Sequence, residues 1–318
     1  MNPKEDNAVS TATPQAMIKK KGSLQRRNTL IAYSFLAPNF LGFLIFTMLP
    51  VLFSIVLSFL NWNGGTIDRI SWAGLDNFKL IFKDFNFTRS DMGITLKNTV
   101  LFTLATVPLT IACSLGLAMI LNKAVKGAKF FRTAFFFPYV ASVVAICVCW
   151  NFLLMKFGPV NQALSYFGIN ISKSWTQSRD HAMLAIIIVS VWRHAGYYMV
   201  MYLAGLQGVP GELYEAATVD GANAWQKFWR ITFPLLSSTT FFVSIMLTIS
   251  CFKIYDVVAI MTEGGPGRTT KMLVSYIYDL SFQQIKYGVA SAVAMVLFVI
   301  VLLITVVQFR AEKKWVNY

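Results

Sequence analysis

Apolar residues in this chain gather into long runs separated by polar stretches. Six runs stand out, at 30–60, 98–121, 133–155, 182–205, 237–261 and 287–309. Each is long enough to cross the hydrocarbon layer of a bilayer, which takes about 20 apolar residues in a helix. Lipid offers no partner to backbone N–H and C=O groups, so the runs should be α-helices that close their own hydrogen bonds. The fold class that follows is an all-α polytopic membrane protein with six transmembrane helices. The expected layout is a disordered basic tail over 1–29, a six-helix domain over 30–310 with a polar loop at 206–236, and a short tail over 311–318. The first run is far longer than a signal-peptide core and lacks a small-residue cleavage pattern. It is read as an uncleaved span, with Pro38 and Pro50 as kink sites.

Composition agrees with this reading: 56% of the 318 residues are hydrophobic and 13% charged, against roughly 25% charged in soluble domains. The net charge of +14 does not point to nucleic acid, because no soluble segment carries a basic stripe with interleaved aromatics. It points to topology, since Lys and Arg collect in cytoplasmic loops. With the N-terminus inside, fifteen basic residues fall on the inner segments and eleven on the outer ones. The short loop decides. "NKAVKGAKFFR" carries Lys123, Lys126, Lys129 and Arg132, and short loops weigh most in this rule. Both termini and the 206–236 loop are therefore expected in the cytoplasm. Trp62, Trp72, Trp150 and Trp175 read as interfacial aromatics, and Trp192 lies deeper. Cys113, Cys147, Cys149 and Cys251 all sit in apolar runs. They read as small hydrophobes with no disulfide framework and no metal site.

The cytoplasmic loop has a shape of its own. Pro210 suits a first helical turn, and Glu212 and Glu215 lie where carboxylates favour the helix dipole. Gly221 breaks the helix. A second helical stretch, Ala222 to Arg230, carries Trp225, Phe228 and Trp229, and Pro234 opens the next span. Two short helices joined at Asp220-Gly221 result. Such an element suits either the membrane interface or a groove on a soluble partner, and its physical chemistry leaves both open.

The spacing within it is distinctive: Glu215-Ala216-Ala217, three residues, Gly221, nine residues, Ile231, one residue, Phe233-Pro234. It resembles the "EAA" loop of permease subunits in bacterial binding-protein-dependent ABC importers, with Phe233 where the family usually has Leu. "LAGLQGVPGELYEAATVDGANAWQKFWRITFPLL", "MTEGGPGRTT" and "YGVASAVAMVLFVIVLLITVVQFR" are similar to the sugar-type branch, the relatives of the maltose and glycerol-phosphate permeases. That branch often has a second glycine where Glu263 stands. The resemblance covers about residues 30–310. It implies a six-helix permease subunit in a bacterial plasma membrane, paired with a second, homologous permease subunit. Two ATP-binding subunits would sit inside and an extracytoplasmic solute-binding protein outside. Glu215, Ala216, Ala217, Asp220, Gly221, Ile231 and Pro234 would form the coupling element that meets the ATPase. The expected cargo is a carbohydrate, moved by alternating access.

The chain shows no catalytic chemistry of its own. It lacks G-x-x-x-x-G-K-[ST], H-E-x-x-H and G-x-S-x-G, and has only two histidines, His181 and His194. No catalytic residue, metal or bound cofactor is expected. ATP and Mg belong to the partner subunit, and nucleic acid is not a partner. Polar groups inside spans are costly and so are functional suspects. Arg193 and His194 lie near the middle of the fourth run, and Lys253 and Asp256 lie three apart in the fifth. The latter two read either as a self-neutralising intrahelical pair or, with Phe252 and Tyr255, as a polar and aromatic wall for a hydroxylated solute. Arg193 and His194 read either as helix–helix bridges or as part of that path. Asn98 and Asn151 read as boundary residues. A self-contained secondary transporter or channel is the competing function, but it would call for inverted repeats. A membrane-embedded enzyme would need clustered catalytic groups.

Overall fold

The computed structural model describes residues 14–66, 70–122 and 126–315. Lys123 of the basic loop lies outside the described residues. The described chain falls into two compact units that part between Val56 and Leu57.

The first unit is one long helical path. Helix α1 spans Pro14–Phe43, a π-helical turn follows at Leu44–Met48, and α2 runs Leu49–Ser58 into the second unit. The tail expected to lack structure thus enters helix at Pro14. Its run of Ala, Met, Lys, Leu, Gln and Arg is rich in good helix formers, and Pro fits a first turn. Pro50 cannot donate a backbone hydrogen bond, and the π turn lies one turn before it, where the ladder has to adjust.

The second unit is helical apart from the two-residue strands β1 (Leu60–Asn61) and β2 (Ser71–Trp72), which pair antiparallel. Its helices are α3 (Asp76–Phe82), α4 (Asp91–Asn122), α5 (Ala128–Val140), α6 (Val143–Leu153), α7 (Pro159–Tyr166), α8 (Ala182–Gln207), α9 (Gly211–Val219), α10 (Ala224–Lys227), α11 (Phe233–Leu235), α12 (Ser237–Phe252), α13 (Asp256–Met261), α14 (Leu273–Tyr278) and α15 (Tyr287–Trp315). Among the described residues, four helices are long and apolar enough to cross a membrane: Asn28–Ser58, Asp91–Asn122, Ala182–Gln207 and Tyr287–Glu312. Two bent pairs bring the number to six if each is one span. The α5–α6 pair turns by 100°, and Ala224–Leu235 with Ser237–Phe252 by 67°.

Three expectations change. The third run is not one straight helix, because α5 ends two residues after Pro138, Ala141 is extended, and helix resumes only at Val143. The fifth run also breaks: α12 stops at Phe252 and α13 starts at Asp256. The last helix continues to Trp315, so most of the expected C-terminal tail is helical.

The bundle is centred on α4 and α8, which pack along much of their length. The buried face of α4 is a stripe of Thr95, Thr99, Thr103, Thr106, Thr110 and Ser114, spaced by three or four residues. Apolar burial gives little drive between helices in lipid. Small residues that let backbones approach do that work instead. Several hydroxyls in the stripe satisfy themselves by donating to their own helix, as Thr99 Oγ1 does to Thr95 O (2.8 Å) and Thr103 Oγ1 to Thr99 O (2.8 Å). Gly196 serves the same end where α8 crosses α5, since a Cβ there would run into the Phe135 carbonyl. Three apolar clusters surround these contacts, one of them joining α4, α8 and α12 around Tyr202, Leu206, Leu236 and Leu247.

Candidate functional site

Two places collect the residues singled out from the sequence: the loop between α8 and α12, and a cavity enclosed by α4, α8 and the α12–α13 break.

The loop is built to hold one shape. Helix α9 ends at Asp220, and Gly221 follows in the left-handed region at φ 74°. The Gly221 amide donates to Thr218 O (3.1 Å) and the Ala222 amide to Ala217 O (2.9 Å). These two bonds are the Schellman pattern that closes a helix C-terminus. Asn223 then caps α10 in a capping box: its Oδ1 accepts from the Gln226 amide (2.8 Å), and Gln226 Oε1 accepts from the Asn223 amide (2.9 Å). Lys227 Nζ crosses back to donate to Thr218 Oγ1 (2.7 Å), and the Tyr214 hydroxyl meets Thr232 Oγ1 (2.9 Å). The second helical stretch thus begins at Ala224 rather than Ala222. It passes through a π turn at Phe228–Thr232 and reaches Pro234 in α11, the same accommodation seen before Pro50.

Glu215, Ala216, Asp220 and Gly221 lie exposed on this platform, while Ala217, Ile231 and Pro234 are half-buried. Neither Glu215 nor Asp220 makes an ion pair among the described residues. Asp220 stands at the C-terminal end of α9, where a carboxylate opposes the helix dipole by about 0.3–1 kcal/mol. Local stability therefore does not account for it. Val219, which sequence reasoning missed, is 88% exposed and completes the surface beside Trp225, which is 68% exposed. The signal of Val219 was an apolar residue next to a helix stop, easily lost in so apolar a chain. Phe228 and Phe233 root the platform in the α4–α8–α12 cluster. At that root Gly205 of α8 comes so close to Leu236 and Thr239 that an added Cβ would stand 2.8 Å from side-chain atoms of both.

The cavity has a volume of about 270 Å³. Arg193, His194, Lys253, Tyr255 and Asp256 all line it, with Thr106 of α4 and Ser190 of α8. Phe252 does not: it is 3% exposed, turned into the packing of the bundle. Because the helix stops between Lys253 and Asp256, the two do not share a helical face, and no ion pair joins them. The expected self-neutralising pair is replaced by two separate charges at one opening. The Arg193 guanidinium carbon lies 5.7 Å from the centre of the Tyr139 ring, itself stacked on Tyr197 at 4.2 Å. His194 Nδ1 donates to Ser190 O (2.7 Å), which directs Nε2 away from the backbone. Among the described residues, three buried polar atoms of the lining have no hydrogen-bond partner: Thr106 Oγ1, Ser190 Oγ and Arg193 Nε. From Tyr255 an aromatic series leads outward, with Tyr278 at 5.1 Å and Phe282 a further 4.9 Å on.

Thr106, Ser190 and Tyr139 were not singled out from the sequence. Thr106 belongs to the periodic α4 stripe, and Ser190 sits one turn before Arg193, so a periodicity signal existed. Tyr139 joins the site only through tertiary packing. A larger groove of about 740 Å³ along α4, α5 and α8 carries no charged lining at all and offers nothing to a polar solute.

At the end of α8 away from the loop, Asn98 is buried and not a boundary residue. Its Nδ2 donates to the carbonyls of Arg268 (2.9 Å) and Lys271 (3.0 Å). This pins the turn in which Glu263 adopts φ 51°, a conformation that explains a glycine preference there. Arg268 is further held by Asp91 (2.7 Å), and Asn151 lines a separate recess beside Thr262 and Glu263.

Residues 114–316 match the model of the family described as binding-protein-dependent transport system inner membrane component. Over 303 residues the chain is 38% identical to the probable ABC transporter permease protein YesP of Bacillus subtilis, covering 94% of this chain and 96% of that one. It is 31% identical to the probable starch degradation products transport system permease protein AmyD of Thermoanaerobacterium thermosulfurigenes, covering 91% and 96% respectively. Among solved structures, a bacterial ABC transporter involved in the import of the acidic polysaccharide alginate has the same fold. Its TM-score is 0.78 at 23% identity, over 93% of this chain and 100% of that one.

Proposed function

The chain belongs to the family of binding-protein-dependent transport system inner membrane components, and on that premise we propose that this ABC importer permease subunit carries a carbohydrate inward. The loop between α8 and α12 receives an ATP-binding subunit. The observation that carries the reading is that loop: a closed, doubly capped turn with free carboxylates and an exposed valine, inserted between the two helices that line the charged cavity. The caps fix the shape, and the features a linker resting on lipid does not need are the unpaired carboxylate against the helix dipole and the polar, exposed turn that carries it. The permease protein AmyD, which this chain resembles over nearly its whole length, is named for starch degradation products. The cavity suits a hydroxylated cargo, because unpaired donors and acceptors in a buried site favour a ligand that can pair them. The series Tyr255, Tyr278 and Phe282 offers faces on which sugar rings stack.

In this reading a second, homologous permease subunit completes the membrane unit. Two ATP-binding subunits lie in the cytoplasm with both termini of this chain, and the solute-binding protein delivers cargo at the outer side of a bacterial plasma membrane. ATP and Mg are used by the partner subunits. Alternating access follows from the layout. From His194 to Gln207 and from Ser237 to Ser250 each helix covers about 20 Å, so displacement of the loop acts on both walls of the cavity.

The test is uptake by the importer reconstituted in proteoliposomes, with a panel of mono- and oligosaccharides and ATP inside. At least one sugar should accumulate only with ATP, and Asp256→Ala should lower its uptake by about tenfold or more at unchanged membrane level. Accumulation without ATP or without the ATP-binding subunit would favour a self-contained transporter.

A further inference from the structure

We infer that the transported solute bears an anionic group, a carboxylate or phosphate on a carbohydrate frame, and that Arg193 receives it. The inference rests on the cavity being the solute path and adds a solute class to that reading.

The argument is one of charge balance. Arg193 lies eleven residues into a 26-residue helix, about 17 Å from its start, which is close to mid-membrane for a span. A charge at that depth is costly and is normally met by an opposite charge or by backbone carbonyls. Among the described residues Arg193 has neither: it makes no ion pair and no hydrogen bond, and its buried Nε lacks any partner. Its one favourable contact is the Tyr139 ring at 5.7 Å, a cation–π contact that leaves the planar donor edge of the guanidinium unused. Lys253 adds a second positive charge to the same cavity, and Asp256 is the single carboxylate that lines it. Arg193 and Lys253 against Asp256 leave the lining at least one positive charge in excess, whatever the state of His194. An oxyanion is the ligand group that uses it best, because a guanidinium fork matches carboxylate and phosphate oxygens with two parallel hydrogen bonds. Ser190 Oγ, also without a partner and one turn from Arg193, supplies a hydroxyl beside them. A neutral sugar could use Ser190, Thr106 and Asp256, yet would leave the arginine uncompensated.

The experiment pairs acidic solutes with neutral counterparts of the same frame: digalacturonate with galactobiose, dimannuronate with mannobiose, glycerol 3-phosphate with glycerol. Uptake is measured in proteoliposomes holding the intact importer and saturating solute-binding protein. The acidic member of at least one pair should be carried, with its neutral counterpart slower by about 10- to 100-fold, the range of a lost hydrogen bond to a charged group. Arg193→Gln should slow the acidic solute by a similar factor, and Arg193→Lys, which keeps the charge without the fork, should restore part of it. A merely structural arginine would give neither the charge-dependent rescue nor the dependence on the solute. Uptake of neutral members at rates equal to or above the acidic ones overturns the inference and leaves the carbohydrate reading standing. Unchanged acidic uptake by Arg193→Gln overturns it as well. Absence of any ATP-driven uptake across all pairs and the wider sugar panel removes both readings together.

Discussion

Asn98 holds α4 against the turn that follows α13. An asparagine at the edge of an apolar run reads as a polar boundary marker. In the fold it is buried and ties α4 to the turn after α13 through two carbonyls 170 and 173 residues away in sequence. No spacing rule connects such distant positions, so the bond is legible only in three dimensions. Each such hydrogen bond contributes about 1 kcal/mol, and an orphaned buried acceptor costs more. Asn98→Ala should therefore speed amide hydrogen exchange across 268–273 by about tenfold while leaving 224–232 unchanged. Equal exchange in both variants would show that the turn holds itself. Arg193 and His194 tell the opposite story. Their mid-span position was visible at once, because a charge in an apolar run stands out against its background. Gly196 sits three residues from Arg193 and was overlooked for lack of such contrast. Gly196→Leu would drive a side chain into the Phe135 carbonyl, so the variant is expected to lose most of its membrane level, as measured by quantitative immunoblot. A normal level would mean that α5 and α8 can part without cost.

At the scale of elements, long apolar runs marked the membrane segments well, and their breaks poorly. The interruption at Ser142 falls inside a stretch that stays apolar, and the one at Lys253–Tyr255 is marked only by the charges of Lys253 and Asp256, which flag cost but not backbone direction. Pro138 was a cue for the first break. The second has no proline or glycine near it and is set by packing. That break matters most for the proposed solute path, since it separates Lys253 from Asp256 at the cavity wall. The 206–236 loop was far more legible, because it is polar and its devices are local: a proline start, a glycine stop, an asparagine cap. Asn223 contributes two of the bonds that hold its second half. Replacing it with alanine costs a capping interaction, about 1 kcal/mol. Asn223→Ala should accordingly raise exchange across Ala224–Thr232 severalfold without altering α15. Unchanged exchange would place the rigidity of the loop in the aromatic packing of Trp225, Phe228, Trp229 and Phe233 instead.

For the whole molecule, two shared helices join the α9–α10 loop, where we propose that energy is received, to the charged cavity, where we propose that solute is held. Helix α8 carries Ser190, Arg193 and His194 and runs into the loop; α12 leaves the loop and carries Ser250 and Cys251 to the same cavity. The close approach of Gly205 to Leu236 and Thr239 keeps the roots of the two helices together, so the loop and both roots should move as one body. The family could be read from the residue spacing of the loop, and family and fold are borne out by the comparisons. The solute could not be read there, because the groups that line the cavity come from four helices. The proposed docking of an ATP-binding subunit on the α9–α10 loop is what ties this layout to transport. The most direct test is Val219→Asp, since this valine is 88% exposed and supports no internal packing. The measurement is the amount of ATP-binding subunit that co-purifies with the tagged permease from detergent-solubilised membranes. The account predicts a loss of about tenfold or more, with the second permease subunit retained and thermal stability unchanged. Undiminished co-purification of the ATP-binding subunit with Val219→Asp, and equally with Gly221→Val, would contradict it.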